Sequence, residues 1–173
     1  MVTVPAGMKL NFGSIAKGYI VDQVVEYLQA KGVSEMMVNA GGDIRIWGRG
    51  ETLIGIQHPL LEHGAVIDKI QIADKAVVTS GDYERYFEQD GVKYHHIIDA
   101  VTGYPARECV SVTAIAEDAK IADALSTAAF LLPVAEAVKL ADELEQGWVI
   151  IYHVDDAGNL VRSLSNGAEQ YLE

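Results

Sequence analysis

Two local turn signals, each flanked by strand-forming runs, constrain this chain most. Tyr83 to Phe87 and Val92 to Ile98 flank Asp90-Gly91, while Trp148 to Val154 and Leu160 to Ser163 flank Asp156-Ala157-Gly158. Asp-Gly tolerates the positive backbone angles of a tight loop, so each pair of runs is predicted to fold back as an antiparallel hairpin. Further strands are expected over Met36 to Val38, Ile44 to Trp47, Thr52 to Gln57, Ile67 to Ile72, Ala76 to Val78 and Cys109 to Ala116. Helical spacing is confined to a few stretches. Residues 14–31 carry apolar groups at Ile15, Tyr19, Val24, Val25 and Leu28 and stop at Gly32. Asp118 is placed to cap a helix running to about Leu131, and Pro133 to open another. Hairpin strands with few helices predict an α+β fold with a mainly antiparallel sheet, not a doubly wound parallel one. The length suits a single domain over residues 1–173, and His58 to Gly64 reads as an internal loop too short to link domains.

Charge then narrows the function. Thirteen basic against 25 acidic residues give a net charge of −12, without the basic footprint that binding nucleic acid requires. An acidic chain that handles a diphosphate would call for a divalent cation. The single cysteine, Cys109, has no partner for a disulfide or a CxxC site, and its strand-like surroundings predict a buried structural thiol. No apolar run approaches the ~18 residues of a membrane span, and Met1 to Met8 lacks the pattern of a signal peptide. The chain is therefore expected to be soluble, with its compartment open.

Five segments carry candidate chemistry. Gly13-Ser14-Ile15-Ala16-Lys17-Gly18-Tyr19 lies at a strand-to-helix junction, where free N–H groups suit a phosphate, although a plain tight turn would read the same way. In Asn39-Ala40-Gly41-Gly42-Asp43, paired glycines let the backbone approach a ligand, and Asn39 and Asp43 have groups for a flat ring or hydroxyl. A hairpin turn would use the same glycines. Thr79-Ser80-Gly81 places hydroxyls at a strand end, and the following Tyr83 to Phe87 alternates as a strand would. His95 and His96 face opposite ways on a strand, so at most one enters a given site, where it could serve as a general base. Lastly, Asp123 and Thr127 are four apart, one turn along one helix face, about 200° round from the stripe of Ile121, Leu125 and Ala129. One carboxylate and one hydroxyl suit Mg²⁺, which takes its other ligands from water and substrate phosphates; a solvated helix face is the competing reading.

In this order, GSIAKGYIVD (13–22), NAGGDI (39–44), TSGDYERYF (79–87), HHIIDAVTGYP (95–105) and ADALSTAAF (122–130) resemble the signature of the ApbE family of bacterial FAD:protein FMN transferases. The resemblance covers that family's C-terminal half, with the N-terminal half expected to be missing. It implies a T-fold-like α+β architecture and Mg²⁺-dependent transfer of FMN from FAD to a threonine hydroxyl of an acceptor protein, releasing AMP. By motif position, Asp123 and Thr127 would be side-chain metal ligands, Ala16 would give its backbone carbonyl, and Ser126 lies close by. Gly13, Ser14, Tyr19, Asn39, Gly41, Gly42, Asp43, Thr79, Ser80, Gly81, His96 and Ile97 fall in the segments implied to contact the flavin nucleotide. His96, not His95, matches the family histidine and is implied to activate the acceptor threonine. Asp123 and His96 are thus the catalytic candidates. Departures are Asn11 for a usual aspartate, Ala100 for a proline and Pro133 for a glycine. The implied partners are FAD and an acceptor protein, in the family a redox-pump subunit, with a second copy of the chain or a separate N-terminal-half polypeptide completing the site. Family members are often exported and membrane-anchored. A non-catalytic FAD-binding module and an FAD pyrophosphatase giving FMN and AMP remain the alternatives.

Overall fold

A computed structural model describes residues 2–62 and 64–173. Met1 and His63, which belong to the N-terminal stretch and the internal loop expected above, lie outside the described residues. In chain order the elements are α1 (Ala16–Ala30), β1 (Met36–Ala40), β2 (Asp43–Trp47), β3 (Thr52–Gln57), β4 (Val66–Ile72), β5 (Ala76–Gly81), β6 (Tyr86–Gln89), β7 (Val92–His95), β8 (Ser111–Ala116), α2 (Ala119–Phe130), α3 (Val134–Leu144), β9 (Gly147–Val154) and β10 (Leu160–Leu164). A short 3₁₀ helix, Ala168–Tyr171, follows near the C-terminus.

The expected α+β arrangement forms. One six-stranded sheet runs β1-β2-β5-β8-β9-β10, antiparallel at every pairing, and β3–β4 and β6–β7 make two separate hairpins. The helix pair α2–α3 connects β8 to β9, which are neighbours in the sheet. Both faces of the sheet are covered, and the two-residue alternation of its central strands divides them. Val78, Val112, Ala114, Val149 and Ile151 face one core with the helices. Val77, Ile115, Ile150 and Tyr152 face the other, closed by Ile56, Ile70 and Ile72 of the β3–β4 hairpin and by Ala168 and Tyr171. Cys109 belongs to the helix-side core, 2% exposed, where burial pushes its thiol up to about 12 and leaves it inert.

The hairpin signals work as predicted. Asp90 and Gly91 both take positive φ, 52° and 73°, as a two-residue loop between right-twisted strands requires. The strands they join are shorter than expected: after a last bond from His96 N–H to Arg85 O, residues 83–84 and 97–98 leave the hairpin. Instead Asp82 N–H bonds to Val110 O, and Ile98 bridges to Pro105.

Helix packing departs from the periodicity. Ile15, Tyr19 and Val24 are exposed, and the buried face of α1 is Gly18, Val21, Asp22 and Val25. The reason is close approach: a Cβ on Gly18 would lie 2.3 Å from Ala119 O and 2.8 Å from Asp123 Cβ, so only glycine lets α1 rest on α2 here. The start of α2 also differs from expectation. Asp118 occupies the cap position in extended geometry but makes no side-chain cap bond. The Asp22 carboxylate, arriving from α1, accepts from Ala119 N–H at 2.8 Å and Lys120 N–H at 2.9 Å instead. Pro133 takes the position just before α3.

Among the described residues, no helix is long and apolar enough to cross a membrane.

Candidate functional site

A cavity of about 670 Å³ opens where the start of α1, the β1–β2 turn, the end of β5, the segment after β7 and the middle of α2 converge. Residues far apart in sequence thus line one space: Gly13, Ser14 and Ala16, then Gly41 and Asp43, then Thr79, Ser80 and Gly81, then His96 and Ile97, then Asp123 and Thr127. Tyr19, Asn39, Gly42 and Ser126 are not among the lining residues.

Each of those four has a physical reason. Tyr19 projects from the exposed side of α1, 52% exposed. Asn39 closes the β1–β2 turn, its Oδ1 accepting from Gly42 N–H at 2.9 Å, while Gly41 and Gly42 both take positive φ. The glycine pair therefore makes a tight turn and also brings the Gly41 backbone to the cavity. Ser126 is fully buried in the seam between helix and sheet, where its hydroxyl donates to Asp123 O at 3.0 Å and meets Ser80 Oγ at 2.9 Å. Ser80 also reaches Thr127 Oγ1 at 3.3 Å, so three hydroxyls from β5 and α2 form one chain. Thr79, one residue earlier, points to the opposite sheet face and pairs through Oγ1 with Thr113 Oγ1 at 2.9 Å.

Asp123 is 5% exposed, so the solvated-face reading of its helix position fails. Its Oδ2 accepts from Gly18 N–H at 3.0 Å, among the free donors at the start of α1. Among the described residues, Oδ1 has no hydrogen-bond partner. Burial pushes the Asp123 carboxyl above its ordinary range, opposed by the Gly18 N–H and the Lys17 charge. Asp43 is more extreme. It is fully buried, neither carboxylate oxygen has a hydrogen-bond partner among the described residues, and burial raises it to about 6 against the pull of Lys17. Lys17 Nζ lies 2.7 Å from Asp43 Oδ1, a charge contact outside hydrogen-bonding angles, and also donates to Gly41 O at 3.3 Å.

The adjacent histidines separate cleanly. His95 is buried against Phe130; its Nε2–H donates to Ala106 O at 2.8 Å and its Nδ1 accepts from Ile97 N–H at 3.3 Å. Both nitrogens are occupied, and desolvation pushes its pKa down, which favours the neutral ring. His96 lies at the cavity, where Nδ1 meets Arg85 O at 3.3 Å. A carbonyl only accepts, so Nδ1 is the donor, and in the neutral ring Nε2 is the nitrogen with the lone pair.

The oxygens of Asp123, Thr127 and the Ala16 carbonyl are hard donors of the kind Mg²⁺ takes. Among the described residues no three His, Cys, Asp or Glu side chains gather into a metal cage. A cation here would thus complete its shell from water and substrate phosphates, as Mg²⁺ ordinarily does.

Sequence reasoning passed over several lining residues. Lys17 stood inside a quoted motif without a role, and its position on the first turn of α1 was the available signal. Glu84 and Arg85 were read as alternating strand positions, but the strand begins only at Tyr86, and both line the cavity. Asn11, the departure from the usual aspartate, also lines it and accepts from Gly13 N–H at 2.7 Å.

The pattern of the ApbE family matches residues 1–151. An FAD:protein FMN transferase of Klebsiella pneumoniae (strain 342) is 45% identical over 129 residues, covering 74% of this chain and 40% of that protein. One of Treponema pallidum (strain Nichols) is 42% identical over 156 residues, covering 80% and 42%. The crystal structure of the ApbE protein from Thermotoga maritima superposes with a TM-score of 0.84 at 41% identity, covering 97% of this chain and 55% of that one. The flavin transferase ApbE from Vibrio cholerae gives 0.80 at 32%, covering 94% and 52%. The chain spans about half the length of the relatives it matches. On the family match and these identities together, the chain belongs to the ApbE family.

Proposed function

We propose that this chain acts in the Mg²⁺-dependent transfer of FMN from FAD to a threonine hydroxyl of an acceptor protein, with AMP released. The observation that carries this reading is the shared cavity: Asp123, Thr127 and Ala16 line the same space as His96, whose Nε2 has no hydrogen-bond partner among the described residues. Relatives named FAD:protein FMN transferase support the flavin donor and the protein acceptor. Mg²⁺, held by Asp123, Thr127 and the Ala16 carbonyl, would neutralise the diphosphate and the charge developing on the leaving phosphate.

In this reading the acceptor oxygen attacks the phosphorus of the FMN phosphate. The bond from that phosphorus to the bridging oxygen breaks, and AMP leaves with the electron pair. His96 Nε2 takes the hydroxyl proton as the oxygen attacks, while the Nδ1–H bond to Arg85 O holds the ring in that tautomer. Asp123 is kept in place by the Gly18 N–H, so it needs no reorganisation to meet a cation. The remainder of the relatives' length is proposed to complete the flavin enclosure, whether in the same protein or from a partner.

The test is incubation with FAD, Mg²⁺ and a threonine-bearing acceptor protein, read by mass spectrometry and nucleotide chromatography. An acceptor gaining FMN, with AMP in solution, is the expected result. Free FMN plus AMP would replace the reading with hydrolysis by water, and flavin retention without turnover would reduce it to binding.

A further inference from the structure

The cavity lining holds an arrangement that the proposed chemistry leaves unused. Asp43 is fully buried, and among the described residues both of its oxygens lack hydrogen-bond partners. A buried carboxylate is costly without a partner, and the one cation against it among the described residues is the Lys17 ammonium at 2.7 Å. Lys17 is the opposite in exposure: its side chain is 48% accessible and it lines the cavity. An ammonium has three N–H donors. One bonds to Gly41 O, and Asp43 draws the charge from below, which leaves donor capacity on the cavity side. The same ammonium stands on the first turn of α1, where the helix end adds positive potential. Arg85, the other lysine or arginine among the lining residues, makes no ion pair with the described residues, so Lys17 is the one whose position is fixed.

We propose that Lys17 contacts a phosphate oxygen of the bound nucleotide, and that Asp43 is a positioning residue that holds the ammonium there without touching the ligand. This rests on the reading that the cavity takes FAD. It also reassigns Asp43, which the sequence suggested as a direct ligand contact: its carboxylate lies beneath Lys17 and has no exposed surface. The pair links the two motifs, since Lys17 comes from the first and Asp43 from the second. A purely structural pin would give the same ion pair, and the two roles differ in which ligands they affect.

Titration calorimetry of the purified chain with Mg²⁺ separates them, using inorganic pyrophosphate, FAD and riboflavin as probes. Lys17→Met is expected to weaken pyrophosphate and FAD by roughly tenfold or more, as loss of a charge-assisted hydrogen bond does, and to leave riboflavin, which has no phosphate, within about twofold. Lys17→Arg should keep most of the affinity. Asp43→Asn should weaken the same two ligands, and adding it to Lys17→Met should cost nothing more, because it acts only through the ammonium. Thermal denaturation checks that each variant folds, with Lys17→Gln used if the methionine variant does not. Equal losses for riboflavin and FAD, unchanged pyrophosphate binding in Lys17→Met, or a wild-type chain that ignores pyrophosphate would overturn the proposal. Wild-type binding of pyrophosphate but neither flavin would sink the FAD reading while upholding Lys17 as the anion contact.

Discussion

The contact between α1 and α2 has two ends, and the two helices exchange carboxylates across it. At one end Asp22 of α1 accepts from two N–H groups at the start of α2. At the other, Asp123 of α2 accepts from Gly18 N–H at the start of α1. Both aspartates are 5% exposed, so burial does not distinguish them. Their partners do. Both oxygens of Asp22 serve as caps, with the Arg45 and Lys120 side chains each 4.0 Å away. Asp123 has one oxygen bonded and, among the described residues, one without a hydrogen-bond partner, and it lines a cavity with Thr127, Ala16 and His96. Identical chemistry thus reads as structure at one end and leaves an oxygen free at the other, the one the proposed function gives to Mg²⁺, because of how much of each carboxylate the backbone uses.

The largest test of this difference is Asp123→Ala. Losing the proposed metal carboxylate should remove several kcal/mol of transition-state stabilisation, on the order of 10²–10³-fold or more in transfer rate. Mg²⁺ binding, followed by calorimetry in the presence of FAD, should fall with it. A variant that transfers FMN at the wild-type rate would leave Asp123 no closer to the chemistry than Asp22.

Gly18 stands at the Asp123 end. Alanine there would press its Cβ into Ala119 O, a backbone atom that cannot rotate away. We expect a loss of about 3 kcal/mol in folding stability as the helices separate, read by urea denaturation. Activity should fall as well, because the Gly18 N–H that orients Asp123 moves with the helix. Wild-type stability in Gly18→Ala would mean that the seam is looser than its geometry implies.

The seam also marks what the sequence could convey. Hairpins were legible because turn chemistry is local: Asp90-Gly91 needs nothing beyond itself to specify a positive-φ loop. The resemblance of five motifs brought the right segments together, and the cavity gathers residues from all five. Periodicity failed on α1, whose buried stripe includes a glycine and an aspartate that no hydrophobic pattern selects. It failed on Asp123 for the same reason, since burial there comes from another helix 105 residues away in sequence. Asp118 looked like a cap by position, while the capping carboxylate belonged to Asp22, a tertiary relation that spacing does not encode. The ion pair of Lys17 with Asp43 likewise joins two motifs 26 residues apart, a contact spacing does not encode.

Asp43 offers a pH test of the cavity end. Its carboxyl is raised from 3.8 to about 6 chiefly by burial, so the folded state holds its proton more tightly than the unfolded chain. The stability this gives is fully present below about pH 4 and is lost as pH rises through about 6, up to about 3 kcal/mol in all. Asp43→Asn cannot titrate, so the difference between wild type and variant should carry that slope. Denaturation should be followed from pH 4 to 7 in metal-free buffer, because a bound cation would favour the charged form. A difference that stays flat, or rises with pH, would mean that Lys17 outweighs desolvation.

The smallest effect belongs to the structural end. Asp22→Ala removes an acceptor from two N–H groups at the start of α2, where a lost cap costs about 1–2 kcal/mol. For a chain of this length that is a fall of about 3–8 °C in melting temperature, measured by calorimetry. Asn at this position keeps one acceptor oxygen and should recover about half the loss. Mg²⁺ affinity should change little, because Asp22 and the cavity lie at different ends of the seam and no bonded atom is shared between them. If Asp22→Ala instead weakened Mg²⁺ as strongly as Asp123→Ala does, the two ends would be one cooperative unit. The cap would then be setting the tilt of α2, and with it the distance from Asp123 to Ala16.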